Sequence, residues 1–210
     1  TADPLGAYYA YEFPLNSFPD YPKYSVWGNA YYVSANKSAP QLYALERIEM
    51  LAGNPNAQII GFNVPSLSTN GFFSILPAHA TSGAPSSNTP GYTFYFQDDG
   101  WGGVSSDNIK IWEINLDWNT TSNSTIASPQ VLPVSAFDSE FTASWDDIEQ
   151  PGTSSKLDGI PTAFMYMAQY REFPTYSSVV LNHTVDVDGT NHAGIRWYEL
   201  RQTDDGEPWT

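Results

Sequence analysis

Three stretches of this chain repeat one pattern, a short strand in which apolar and polar residues alternate around tryptophan or tyrosine: Ser25–Ala35, Ile109–Trp118 and Gly194–Leu200. Alternation with a period of two marks a strand with one buried face. In the second stretch Trp112, Ile114, Leu116 and Trp118 share a face against Glu113, Asn115 and Asp117. Polar runs from Pro77 to Pro90 and from Ser135 to Pro161 separate the copies, and no long helical pattern intervenes. A strand unit that recurs without helices buries its faces by stacking on its neighbours, as the blades of a β-propeller do. The predicted fold is all-β, with propeller-type blades over residues 18–76, 90–134 and 157–202 of a single domain spanning 1–210.

The strands expected in the first unit are Tyr24–Ala35, Gln41–Ile48 and Ala57–Val64, with Asn36–Pro40 and Ala52–Asn56 as turns. Ala44–Leu51 is the one good helix-forming run and is read as strand followed by turn, with a short helix as the alternative. Gly91–Phe96, Ile109–Trp118 and Gln130–Val134 form the second unit; Ala163–Phe173, Ser178–Asp186 and Ala193–Arg201 form the third. Ala7–Phe13 reads as the last strand of a preceding blade. Closed propellers use about four to eight blades, so about three make an incomplete arc. The expected partners are the remaining blades of a parent protein, a second fragment of it, or another copy completing a ring. A start at Thr1 rather than Met fits a processed or excised segment.

Composition narrows the partners further. Eight Lys and Arg stand against 23 Asp and Glu, a net charge of −15, which opposes binding to phosphate backbones. Nucleic acid is therefore not an expected partner. Nor is membrane insertion, because no apolar run approaches the ~20 residues that span a bilayer. With no cysteine, the chain has no disulfide, no zinc thiolate site and no thiol nucleophile.

Several segments resemble a large, mostly uncharacterised family of secreted bacterial β-propeller proteins, in the style of BNR/sialidase-like propellers. They are Ala2–Phe13, Phe18–Tyr32, Gln150–Asp158, Tyr170–Phe173, Ser178–Thr184 and Gly194–Arg201. The resemblance implies a multi-bladed protein that is extracellular or at the bacterial cell surface, and it supplies no catalytic residues. A sialidase-type Asp-box is degenerate here. Ser105, Asp107 and Trp112 stand at the matching offsets, but Ile109 replaces the glycine, so Asp107 is expected to hold a turn.

The candidate binding residues are aromatic and basic. Trp101, in Asp98–Gly103, and Trp145, in Ala143–Asp147, stand in loop-like sequence where an indole could stack on a sugar ring. Packing against a neighbouring blade is the plainer role for both. Arg171 and Arg196, on strands of the last unit, could converge on a carboxylate ligand; surface ion pairs are the bland alternative. Asp186, Asp188 and Asn191 surround Gly189 with oxygen donors that suit Ca²⁺, though a hairpin turn with solvated carboxylates needs the same residues. His183 lies between apolar neighbours on its strand face and reads as a packed, hydrogen-bonded histidine. The leading function is a non-catalytic binding or adhesion scaffold for carbohydrate. The alternatives are part of a sialidase-like glycoside hydrolase and a structural calcium-binding surface module.

Overall fold

The computed structural model describes residues 3–80, 85–86, 88–142 and 148–210. Its strands are β1 (Asp20–Val26), β2 (Ala30–Asn36), β3 (Leu42–Glu46), β4 (Ile59–Phe62), β5 (Leu76–Ala80), β6 (Gly91–Gln97), β7 (Asn108–Asn115), β8 (Thr125–Ile126), β9 (Gln130–Pro133), β10 (Ala168–Phe173), β11 (Tyr176–Asp186) and β12 (Ala193–Gln202). One short helix, α1 (Arg47–Ala52), follows β3, and a 3₁₀ turn (Thr121–Asn123) follows β7. Strand makes up 39% and helix 5%, so the all-β expectation holds.

The strands form two sheets rather than three separate ones. The first is an antiparallel meander in the order β1-β2-β3-β4. The second has eight strands in the order β12-β11-β10-β5-β6-β7-β8, with β9 also paired to β7, and it curls into a half-barrel. The second and third sequence units are thus continuous. Their junction is β5, which pairs parallel with β10 (Ala78 opposite Ala168, Tyr170 opposite Ala80) and antiparallel with β6 (Leu76 opposite Phe94). The sequence expectation placed this segment, His79 included, in the loop that begins at Pro77.

Two further expectations are corrected. Ser25–Ala35 is not one strand: the chain reverses at Gly28-Asn29, and the Trp27 amide donates to the Ala30 carbonyl at 3.0 Å. Ala7–Phe13 is not a strand either. It lies against α1, where the Tyr11 hydroxyl donates to the Met50 carbonyl at 3.1 Å. The run Ala44–Leu51 divides between strand β3 and helix α1, so both readings of it were partly right. Gly53 ends that helix at φ 74°, in the left-handed region, and a Cβ there would overlap the Tyr9 ring.

The core lies between the sheets and is largely aromatic. Trp27, fully buried at the β1–β2 turn, meets Tyr170 of β10 edge-on at 4.7 Å and Tyr92 of β6 at 6.2 Å. Its indole N–H donates to the Thr89 carbonyl at 3.3 Å. Hydrogen bonds also cross the seam: the Ser34 hydroxyl donates to the Ile75 carbonyl at 2.6 Å, and the Trp112 indole to that of Pro65 at 2.8 Å. Every residue of β6 is buried, because the strand sits mid-sheet with both faces covered.

Trp209 closes the core beside β6, edge-on to Tyr92 at 5.2 Å and to Phe94 at 6.0 Å. Its backbone is clasped by Gln130, which donates to the Trp209 carbonyl at 2.6 Å and accepts from its amide at 2.9 Å. Trp209→Ala should therefore lower the unfolding free energy by about 3–5 kcal/mol in urea titrations, and Trp209→Phe by much less.

Candidate functional site

An open groove of about 480 Å³ lies between the β11–β12 hairpin and the loop over residues 135–142. That loop has no regular structure of its own and is fixed from two sides. From the β6–β7 hairpin, Asp98 Oδ2 accepts both the Ser139 amide (2.6 Å) and its hydroxyl (2.7 Å), and Asp107 Oδ2 accepts the Phe137 amide (2.6 Å). From the β11–β12 hairpin, Arg196 donates to the carbonyls of Ala136 (2.9 Å) and Ser135 (2.8 Å). The Asp186 amide donates to the Asp138 carbonyl at 2.8 Å, and Asn191 holds Thr142 by its amide (2.7 Å) and hydroxyl (2.6 Å). Charge-assisted bonds of this kind are the stronger ones, so the loop is a rigid wall.

On the opposite wall Trp197 is 67% exposed and Ile195 66%, on the outward face of the sheet-edge strand β12, with Val187 beside them. Trp197, Ile195 and Val187 together make an exposed apolar patch, and contiguous patches rather than single exposed residues mark interaction surfaces. Comparison with protein-family models, curated proteins and solved structures finds no match. The chemistry of the surface must therefore be read from its own residues.

Trp101 does not belong to that surface. It is 3% exposed and packs against Phe96 at 5.5 Å and Tyr95 at 6.0 Å, so neither indole face is open to a sugar. Trp145 lies outside the described residues. Arg171 and Arg196 do not converge. Arg171 is opposite Ser178 and Arg196 opposite His183, an odd number of positions apart on β11 and hence on opposite faces, about 17 Å along the strand. Arg196 also has its guanidinium committed to two carbonyls and set 5.3 Å from the Phe137 and Tyr198 rings.

The turn between β11 and β12 brings Asp186, Asp188 and Asn191 together, but it directs their oxygens to N–H groups. Asp186 Oδ1 accepts the amides of Asp188 (3.3 Å), Gly189 (3.0 Å) and His192 (3.2 Å), and Oδ2 that of Asn191 (2.7 Å). Burial alone would raise the Asp186 pKa; the backbone donors outweigh it and hold the carboxyl below its ordinary range. Asp188 accepts the Thr190 amide and hydroxyl and faces His192 Nδ1 at 3.3 Å. Asn191 accepts from Thr142 while its own backbone sits at φ 66°. These bonds build the turn from the chain's own donors. Asp186→Ala should accordingly lower the melting temperature, while a chelator leaves the wild-type melt unchanged.

Asp98, Asp99 and Asp107 each place a carboxylate oxygen within 4.8 Å of the others. Both oxygens of Asp98 and both of Asp107 already accept hydrogen bonds, including Gly100 N to Asp98 Oδ1 (2.8 Å) and Asp99 N to Asp107 Oδ1 (2.7 Å). Asp107 thus organises a turn, the part its degenerate Asp-box position suggests. Beside them burial, with Asp98 and Asp138, pushes the Glu140 carboxyl up.

His183 is fully buried under the groove wall, stacked on Phe96 at 4.0 Å and parallel to Tyr198 at 5.7 Å. Its Nδ1 is 3.1 Å from the Thr184 carbonyl, which only accepts, so Nδ1 carries the proton and Nε2 accepts from the Tyr198 hydroxyl at 3.0 Å. Burial lowers its pKa to about 4; the Thr184 carbonyl acts against that and the Arg196 charge with it. A depressed folded-state pKa means that the unfolded chain takes up the proton first. Stability is therefore complete above pH 6.5 and drains as pH falls through about 4. The loss attributable to this ring is about 3 kcal/mol. In urea titrations His183→Gln should be less stable at neutral pH, yet lose most of the slope across that window.

Proposed function

We propose that this chain is a non-catalytic binding module for carbohydrate and that the groove beside Trp197 is its binding surface. The observation that carries this reading is the exposed Trp197 indole on a rigid strand, facing a groove whose size lies within the roughly 300–1,000 Å³ usual for ligand sites. A flat aromatic face stacks on the C–H face of a sugar ring, and Asp138 at the rim is placed to accept from its hydroxyls. The groove is acidic and Arg196 is already committed to carbonyls, so neutral glycans fit it better than sialylated ones. The separation of Arg171 from Arg196 favours binding over sialidase-like hydrolysis. Glycans are met outside the cell or at its surface, which is the setting this reading takes.

A second reading rests on the same residues. Ile195, Trp197 and Val187 are apolar and exposed at the free edge of the large sheet, where a further sheet of a propeller-type arc, or another copy, would stack. Trp197→Ala separates the two. As a sugar platform, its loss weakens binding to neutral glycans on an array by about 1–3 kcal/mol, the scale of ring stacking, and the wild-type protein sediments as a monomer. As a stacking face, wild-type protein self-associates at micromolar concentration, the variant does not, and no glycan is retained by either.

A further inference from the structure

A second cavity, of about 190 Å³, opens on the seam between the two sheets. Tyr32 of β2 and Asn29 form one side, Asn88 and Gly91 the approach to β6, and Ile114 with Asn115 the end of β7. No charged side chain lines it among the described residues, in a chain whose net charge is −15. It has room for about six waters at ~30 Å³ each, and so for one small molecule rather than a drug-sized ligand.

The Tyr32 hydroxyl decides what that molecule must offer. Tyr32 is 1% exposed, and its hydroxyl is buried with no hydrogen-bond partner among the described residues. Leaving such a group unpaired costs about 1–3 kcal/mol. Burial raises its pKa well above the ordinary 10.0, so it stays a protonated donor. Gly91 makes the arrangement possible, since a Cβ there would overlap the hydroxyl. At the rim the Asn115 amide is fixed by its bond to Glu113 Oε1 at 2.9 Å, and the buried Ile114 supplies an apolar wall.

We propose that this seam cavity binds a small, uncharged, hydroxyl-rich molecule of the size of a single sugar ring, to which the Tyr32 hydroxyl donates. The asparagine side chains suit neutral hydroxyls; the Glu113 carboxylate behind Asn115 disfavours an anion, and no cationic side chain stands among the described lining residues. The inference stands apart from the Trp197 groove.

Saturation-transfer NMR with millimolar D-glucose, D-galactose and N-acetyl-D-glucosamine tests it. At least one of the three should bind the wild-type chain. Tyr32→Phe should weaken that binding about fivefold, the effect of one hydrogen bond, while raising the melt of the ligand-free chain by removing the unpaired hydroxyl. Asn115→Phe, at an exposed rim position, should abolish binding by filling the mouth, and Trp197→Ala should leave it intact. The proposal is overturned if none of the three sugars binds, if Tyr32→Phe and Asn115→Phe bind as the wild type does, or if soaked crystals show only ordered water at the Tyr32 hydroxyl.

Discussion

Three rungs of parallel pairing between β5 and β10 hold the large sheet together. Without them the chain would be two antiparallel groups, β5 to β9 and β10 to β12, each with a free edge. With them the edges are joined, the sheet curls, and Tyr170 is brought over Trp27 at 4.7 Å, which ties the large sheet to the small one. Parallel pairing requires a long crossover, and here 87 residues separate Ala80 from Ala168. The loop over residues 135–142, one wall of the Trp197 groove, belongs to that crossover.

The Trp197 groove shows how an irregular loop becomes a defined wall. Residues 135–142 have little secondary structure to satisfy their backbone, and they meet that requirement with side chains from two hairpins. Asp98 and Asp107 serve the amides, and Arg196 serves the carbonyls. Arg196, a candidate ligand-binding residue by its sequence, holds this loop in place. The acidic turn residues and the arginine shape the groove, and the Trp197 indole stands open to water beside it.

Much of the fold was legible because alternating strands with aromatic residues announce themselves locally. β6, β7, β9, β11 and β12 fall within a few residues of their expected positions, and β10 fills the second half of its expected segment. β5 was hidden because Pro77 and the Ser, Gly and Thr that follow resemble a loop, and because its parallel partner lies some ninety positions away. The break at Gly28-Asn29 was available as a turn signal and lost among flanking aromatics. Trp101 takes the plainer of its two sequence readings: its loop folds back and packs the indole against Phe96 and Tyr95 of β6. Trp197 was overlooked because both faces of β12 carry apolar residues. Tyr198 and Leu200 share one face, Ile195 and Trp197 the other, and sequence alone does not say which meets the core. Asp186 was read correctly as the centre of a turn, but the destination of its oxygens depends on backbone amides that no residue pattern displays.

The distribution of indoles has an optical consequence. Trp27, Trp101, Trp112 and Trp209 are buried, whereas Trp197 stands in water at the mouth of the groove. Buried indoles emit at shorter wavelengths than hydrated ones, so the long-wavelength side of the emission weights Trp197 over those four. The groove therefore contains its own unlabelled fluorophore, and whatever covers it, whether a sugar ring or another protein surface, writes its arrival into the colour of the emitted light.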